Sequence, residues 1–281
     1  MIRPRNPWPP VSLTFAFLAV LLLAGCSSHF KQAKFHYSEG QLRARAYETE
    51  QAAASYKRAL LEAEKAVRSS PSAQAFTLKG LAEAALEKWP DAETSFLQAF
   101  LLGFAEGEDW ARDVARLGLA SSLDELGLKD AALRSIVDLV NHAKFKPARL
   151  EAARRYADLS LAAASRLDNK EKTNALAAVA KTLEKLIDGD FACGFYHYLL
   201  SQTESHREDY RKSFEEAAIA RELGLPTEKV LRDNDLQIVF ISRKMKDRLS
   251  PDEWKAFEEL VGRWTRKWGW KNPLTPNWKT E

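Results

Sequence analysis

The segment Ala59-Leu60-Leu61-Glu62-Ala63-Glu64-Lys65-Ala66-Val67 places Ala59, Ala63 and Ala66 on one helical face, at spacings of four and three, before Pro71 stops the chain. A face of alanines buries little apolar area alone, but it lets a second helix approach closely. About thirty-three residues further on a related pattern returns, with Gly80, Ala92, Phe96 and Ala99 in register and Phe76 as a leading aromatic. Such a period requires a chain built from repeated helix pairs, each completing its core on its neighbours.

A third copy is readable in Leu119, Ala120, Gly127, Ala132 and Ile136, with Leu139 where a small residue is expected. Residues 150–167 and 170–187 are helical by composition, and Leu176, Val179, Leu183 and Leu186 form an apolar stripe at spacings of three and four. Tyr210, Ser213, Ala217 and Ala220 restore the small-residue pattern before Gly224 and Pro226. These positions resemble the tetratricopeptide repeat (TPR). The resemblance implies an all-α, TPR-like right-handed helical solenoid of about five helix pairs over residues 40–227, closed by a C-terminal capping helix.

The first residues have the three parts of an export signal: Arg3 and Arg5, an apolar run from Val11 to Leu23, and small Ala24 and Gly25 before Cys26. The run is shorter than the roughly 20 residues that a spanning helix needs. Leu23-Ala24-Gly25-Cys26 resembles the lipobox of bacterial lipoproteins. That resemblance implies cleavage of residues 1–25 and acylation of Cys26, palmitate being a usual chain. Ser27 stands where an aspartate would signal inner-membrane retention, which implies an outer-membrane anchor facing the periplasm. Residues 26–39 are then expected to be a tether, reaching at most about 50 Å when extended. Cys193 is the only other cysteine, so no internal disulfide remains once Cys26 is acylated. Basic residues number 42 and acidic ones 39, a balance with no strong field for nucleic acid.

In tetratricopeptide proteins the first helix of each pair lines a concave binding surface. The resemblance maps that lining onto Gln41, Ala44, Glu48 and Gln51, onto Gln74, Thr77, Leu81 and Ala84, onto Val114, Leu117, Ser121 and Asp124, and onto Phe195, Tyr198, Gln202 and Ser205. The lining lacks the cluster of Lys, Arg and Asn with which some members capture a terminal carboxylate, so an extended or helical partner segment is expected. Cys193 and His197, four apart, could form half of a zinc site, but no CxxC or HxxxH completes it, and packing is the expected role. Asp188-Gly189-Asp190 lacks the twelve-residue calcium loop and reads as a helix end with a capping glycine. With no phosphate loop and no GxSxG, the chain is expected to be no enzyme and to need no cofactor or metal.

Residues 228–281 are rich in tryptophan. Ser250, Pro251 and Glu253 read as N-cap, first helical residue and capping-box acid. The helix they start carries Trp254, Phe257, Val261, Trp264 and Trp268 on one stripe, and Gly269 ends it. Trp270 and Trp278 lie beyond it as candidate contact residues. The resulting expectation is a lipid-anchored periplasmic adaptor that binds another envelope protein. The alternative is a small-molecule or glycan binding module tied to envelope transport or polysaccharide export, with Tyr196, Tyr198, Trp270 and Trp278 as stacking surfaces.

Overall fold

The computed structural model describes residues 28–246 and 248–269, so Cys26, Trp270 and Trp278 lie outside the described residues. Among the described residues there are twelve α-helices and no strand: α1 (Ser28–Arg45), α2 (Thr49–Ser69), α3 (Ala73–Ala85), α4 (Trp89–Leu102), α5 (Asp109–Glu125), α6 (Lys129–His142), α7 (Lys146–Ala164), α8 (Asn169–Gly189), α9 (Gly194–His206), α10 (Tyr210–Leu223), α11 (Glu228–Lys246) and α12 (Pro251–Lys267). The chain divides into two compact units between Tyr156 and Ala157. None of the described helices is long and apolar enough to cross a membrane.

In the first unit, α1 pairs with α2, α3 with α4 and α5 with α6, and successive pairs stack through α2 on α3, α4 on α5 and α3 on α5. This is a TPR-like stack of helix hairpins, and its joints are glycines set against aromatic rings. A Cβ on Gly40 would come 2.6 Å from the Tyr56 ring, and one on Gly80 would come 2.8 Å from the Phe96 ring. Gly118 of the next hairpin meets the tip of the same Phe96 ring, with Cε1 and Cζ close to both glycines, and the ring is fully buried. Ala120 and Ile136 of the third pair, both fully buried, keep the sixteen-residue interval of Gly40–Tyr56 and Gly80–Phe96, while Gly118 makes the joint to the preceding hairpin.

The tether expected at residues 26–39 is also corrected. Helix α1 begins at Ser28, and Phe30, Ala33, Tyr37 and Gly40 form its buried stripe, packed on α2. Burial of that stripe stabilises helix where extended chain was expected. Tyr37 is fully enclosed, and burial together with the nearby Tyr56 pushes its phenol far above the ordinary range, while burial pushes Tyr56 up to about 12. The first hairpin thus starts twelve residues before Gly40.

Four hairpins turn in the same way. The N–H groups of Glu48, Lys88, Leu128 and Asp209 bond to the carbonyls of Arg43, Glu83, Leu123 and Glu204, at 2.9, 2.9, 2.8 and 3.0 Å. The preceding residues, Tyr47, Glu87, Gly127 and Glu208, bond to the carbonyls of Ala44, Ala84, Asp124 and Ser205. This paired pattern is the Schellman closure, and it forces the residue after the helix cap into the left-handed region. The φ values are 61° at Tyr47, 60° at Glu87, 83° at Gly127 and 63° at Glu208.

In the second unit, α9 packs on α8 and α10, α10 packs on α11, and α11 contacts α12. Phe214 and Ala217 of α10, Ile238, Ile241 and Met245 of α11, and Phe257 and Val261 of α12 form one core. Trp254, Trp264 and Trp268 pack against it from partly buried positions. The capping module therefore has two helices, with α11 inserted between the last repeat and α12. Helix α12 starts with the expected capping box: the Ser250 N–H donates to Glu253 Oε2 at 3.0 Å, and the Ser250 hydroxyl accepts the Glu253 N–H. Asp190 caps α8 with φ −155° and ψ 69°, its N–H bonding to the Leu186 and Ile187 carbonyls, and Gly189 closes the helix without a left-handed conformation.

Candidate functional site

The positions mapped onto a concave lining are mostly buried. Leu81, Ala84, Val114 and Leu117 are fully enclosed. Thr77 and Ser121 are buried beside them and turn their hydroxyls back onto their own helices, donating to the carbonyls of Ala73 and Leu117 at 2.7 and 2.8 Å. Gln41 is buried in α1. Tyr198 is buried as well, stacked on Phe195 with ring centroids 5.9 Å apart, and its phenolic oxygen accepts the Gln202 amide N–H at 2.7 Å. Tyr196 is fully enclosed, which removes it and Tyr198 as stacking surfaces for a glycan.

The lining expectation is corrected accordingly for Gln41, Thr77, Ser121 and Tyr198. The physical reason is the residue type of their neighbours, since apolar side chains at lining positions drive burial, not exposure. Glu48 lies in the turn before α2 and faces Arg43 at 3.5 Å, off the inner face of any first helix. Gln74 and Asp124 are half-buried, and the Gln74 amide donates to Glu108 at 2.7 Å, tying α3 to the segment before α5.

The exposed apolar side chains lie elsewhere. Helix α4 presents Leu97 and Leu101, one turn apart, and Leu101 is 78 % exposed. Helix α11 presents Leu236 and Phe240, again one turn apart, with the Lys244 ammonium 5.7 Å from the Phe240 ring centroid and exposed Arg232 and Arg243 at the two ends. These residues escaped the repeat mapping because they sit on outward helix faces. Their signal was present in α11: Ile238, Ile241 and Met245 mark one apolar face, and Leu236 and Phe240 mark another.

Three buried polar groups, His197, Glu204 and Asp113, tie neighbouring segments together. His197 is buried, with Nδ1 2.6 Å from Glu216 Oε2 and Nε2 3.1 Å from the Phe191 carbonyl oxygen. Both ring nitrogens are thus engaged by groups of the protein itself, on α10 and on the turn before α9. Glu204 is fully enclosed in α9 and is met by Arg207 at 2.8 Å and by Lys212 at 3.1 Å, while Lys212 also reaches Glu184 of α8 at 2.5 Å. Burial works against the Lys212 ammonium, but the two carboxylates outweigh it and hold its pKa above the ordinary lysine value. Asp113 of α5 is buried and accepts the backbone N–H groups of Lys144 and Phe145 at 2.7 and 2.9 Å, fixing the entry to α7.

No protein-family model matches the chain, and no curated protein matches it. Among solved structures it is similar to YrrB, described as a TPR protein with an unusual peptide-binding site, at 20 % identity over 71 % of this chain and 90 % of that one, with a TM-score of 0.35. So loose a superposition transfers no binding site. The TPR-like hairpin architecture stands on this chain's own packing.

Proposed function

We propose that the chain is a lipid-anchored adaptor of a bacterial envelope, without enzymatic activity, that holds another envelope protein against the outward faces of its helix hairpins. The observation that carries this reading is the pairing of exposed apolar residues one turn apart, Leu97 with Leu101 and Leu236 with Phe240, on helices whose opposite faces are locked into a core. Such pairs suit a partner helix or strand laid across them. The cations flanking Leu236 and Phe240 favour a partner acidic at its ends. The anchor rests on the lipobox-like residues before Cys26, and the outer-membrane address rests on Ser27.

Site-specific photo-crosslinking in intact cells tests the adaptor role. A photoreactive residue at position 101, 236 or 240 is expected to give a discrete adduct that is absent at exposed Lys181 of α8. No discrete adduct at any of the three positions would sink the reading. Palmitate labelling that is lost in Cys26→Ser, followed by membrane fractionation, tests the anchor and its address separately.

A further inference from the structure

Helix α1 has a second face that its hairpin does not use. Its buried stripe packs on α2, and on the opposite side Phe35 and Leu42 are 64 % and 58 % exposed. They lie seven residues apart, two turns along the same line and about 10 Å from each other. Lys31, one turn before Phe35, and Arg45, after Leu42, put cations at both ends of that line. Glu39, the one acid of the helix, is paired with Arg43 at 2.9 Å, a hydrogen bond that holds its carboxyl below the usual range. Arg43 is taken up by Glu39 and Glu48, and the Lys34 ammonium lies 5.8 and 5.9 Å from the Phe30 and Trp110 ring centroids, so Lys31 and Arg45 carry the positive excess of this line.

The turn that follows is also unusual. Tyr47 is 84 % exposed and holds a left-handed conformation that suits glycine. The equivalent turns carry Glu87, Gly127 and Glu208, so an exposed aromatic is peculiar to the turn after α1. A large apolar side chain that is strained locally and solvated fully is explained if something other than water covers it.

We infer that this face of α1, with Phe35, Leu42 and Tyr47, docks on the anionic surface of a lipid bilayer. The inference deepens the anchor proposed above and rests on acylation of Cys26. Only Ser27 separates Cys26 from the first residue of α1, so the helix starts within about 10 Å of the acylated sulfur. A helix so close to the bilayer, with cations at both ends of an outer line that exposes Phe35 and Leu42, has the pattern of an interfacial helix lying in the plane of the headgroups. The lipid would hold α1 at the surface, and α1 would set the orientation of its hairpin there.

The test uses the full mature protein in vesicles of phosphatidylethanolamine and phosphatidylglycerol at three to one. Spin labels are placed one at a time at Phe35→Cys, Leu42→Cys and, as a control on an exposed face of α2, Lys57→Cys. Labels at 35 and 42 are expected to be accessible to oxygen and shielded from a water-soluble nickel complex, and the label at 57 the reverse. Intact mass reports acylation in the same samples. Acylated protein with aqueous labels at 35 and 42 overturns the docking and leaves the anchor standing. Immersed labels on protein without acyl chains support the docking and remove the anchor. Aqueous labels on protein without acyl chains overturn both.

Discussion

The turn residue Glu87 offers a stabilising substitution whose size follows from backbone conformation. An L-residue in the left-handed region costs roughly 1–2 kcal/mol relative to glycine. Glycine gives back about 0.5–1 kcal/mol through its greater freedom in the unfolded chain. Glu87→Gly should therefore stabilise the first unit by about 0.5–1 kcal/mol, and Glu87→Asn by less, because asparagine tolerates this region only partly. Gly127→Ala, in the same Schellman position, should destabilise by about 1 kcal/mol. Glu208→Gly should change little, because the turn relief is offset by loss of the ion pair from Glu208 to Arg248, 3.0 Å long and exposed. Urea unfolding followed by far-ultraviolet circular dichroism measures all four. With a slope of about 1–3 kcal/mol per molar urea, Glu87→Gly should raise the midpoint by roughly 0.2–1 M. A lower midpoint for Glu87→Gly, or a higher one for Gly127→Ala, would refute the assignment of strain to this turn.

Three further outcomes follow from named contacts. Gly118→Ala drives a methyl group into Phe96 and should destabilise by about 1–3 kcal/mol, and Phe96→Leu in the same chain should cost less than the sum of the two single changes, measured by a double-mutant cycle. Lys212→Met leaves enclosed Glu204 with Arg207 alone and should destabilise the second unit by about 1–3 kcal/mol, read from urea midpoints at pH 7. Glu222 of α10 accepts from Lys267 and from Trp268 Nε1, and these bonds hold its carboxyl below the ordinary glutamate range. A depressed folded pKa gives stability that is present above the unfolded value of about 4.3 and is lost as pH falls below it. Protection of the α12 amides, taken relative to their intrinsic exchange rates, should accordingly fall on acidification below about pH 4.3, and Glu222→Gln should remove part of that change.

How far the sequence could be read depended on which surface set each position. The alanines at 59, 63, 66, 92 and 99 are buried by their own hairpins, so a local pattern located them. The stripe of α12 and its capping box were legible for the same reason. Helix α1 was missed because Phe30, Ala33 and Tyr37 carry no small-residue signature. Its signal was the interval of sixteen residues from Gly40 to Tyr56, the same as from Gly80 to Phe96. Burial of the lining positions was not legible from family offsets, because offsets place a residue on a helix face without saying what covers that face. The apolar character of Leu81, Val114 and Leu117 was the better guide.

That burial also decides how a partner can be held. Leu81, Val114 and Leu117 each gain about 1.5–3 kcal/mol from being enclosed. A partner that entered by opening this face would first expose all three, at a cost of roughly 5–9 kcal/mol. That is close to the whole free energy of a micromolar complex, about 8 kcal/mol, and comparable to the total stability of an ordinary domain, about 5–15 kcal/mol. A partner laid on Leu97 and Leu101, or on Leu236 and Phe240, meets no such cost, because these side chains already face water. Any binding that leaves the hairpins intact is therefore expected on the outward faces. A polar substitution at Leu101 or Phe240 should weaken it without moving the urea midpoint, whereas a change at Leu117 should weaken binding only by unfolding the stack.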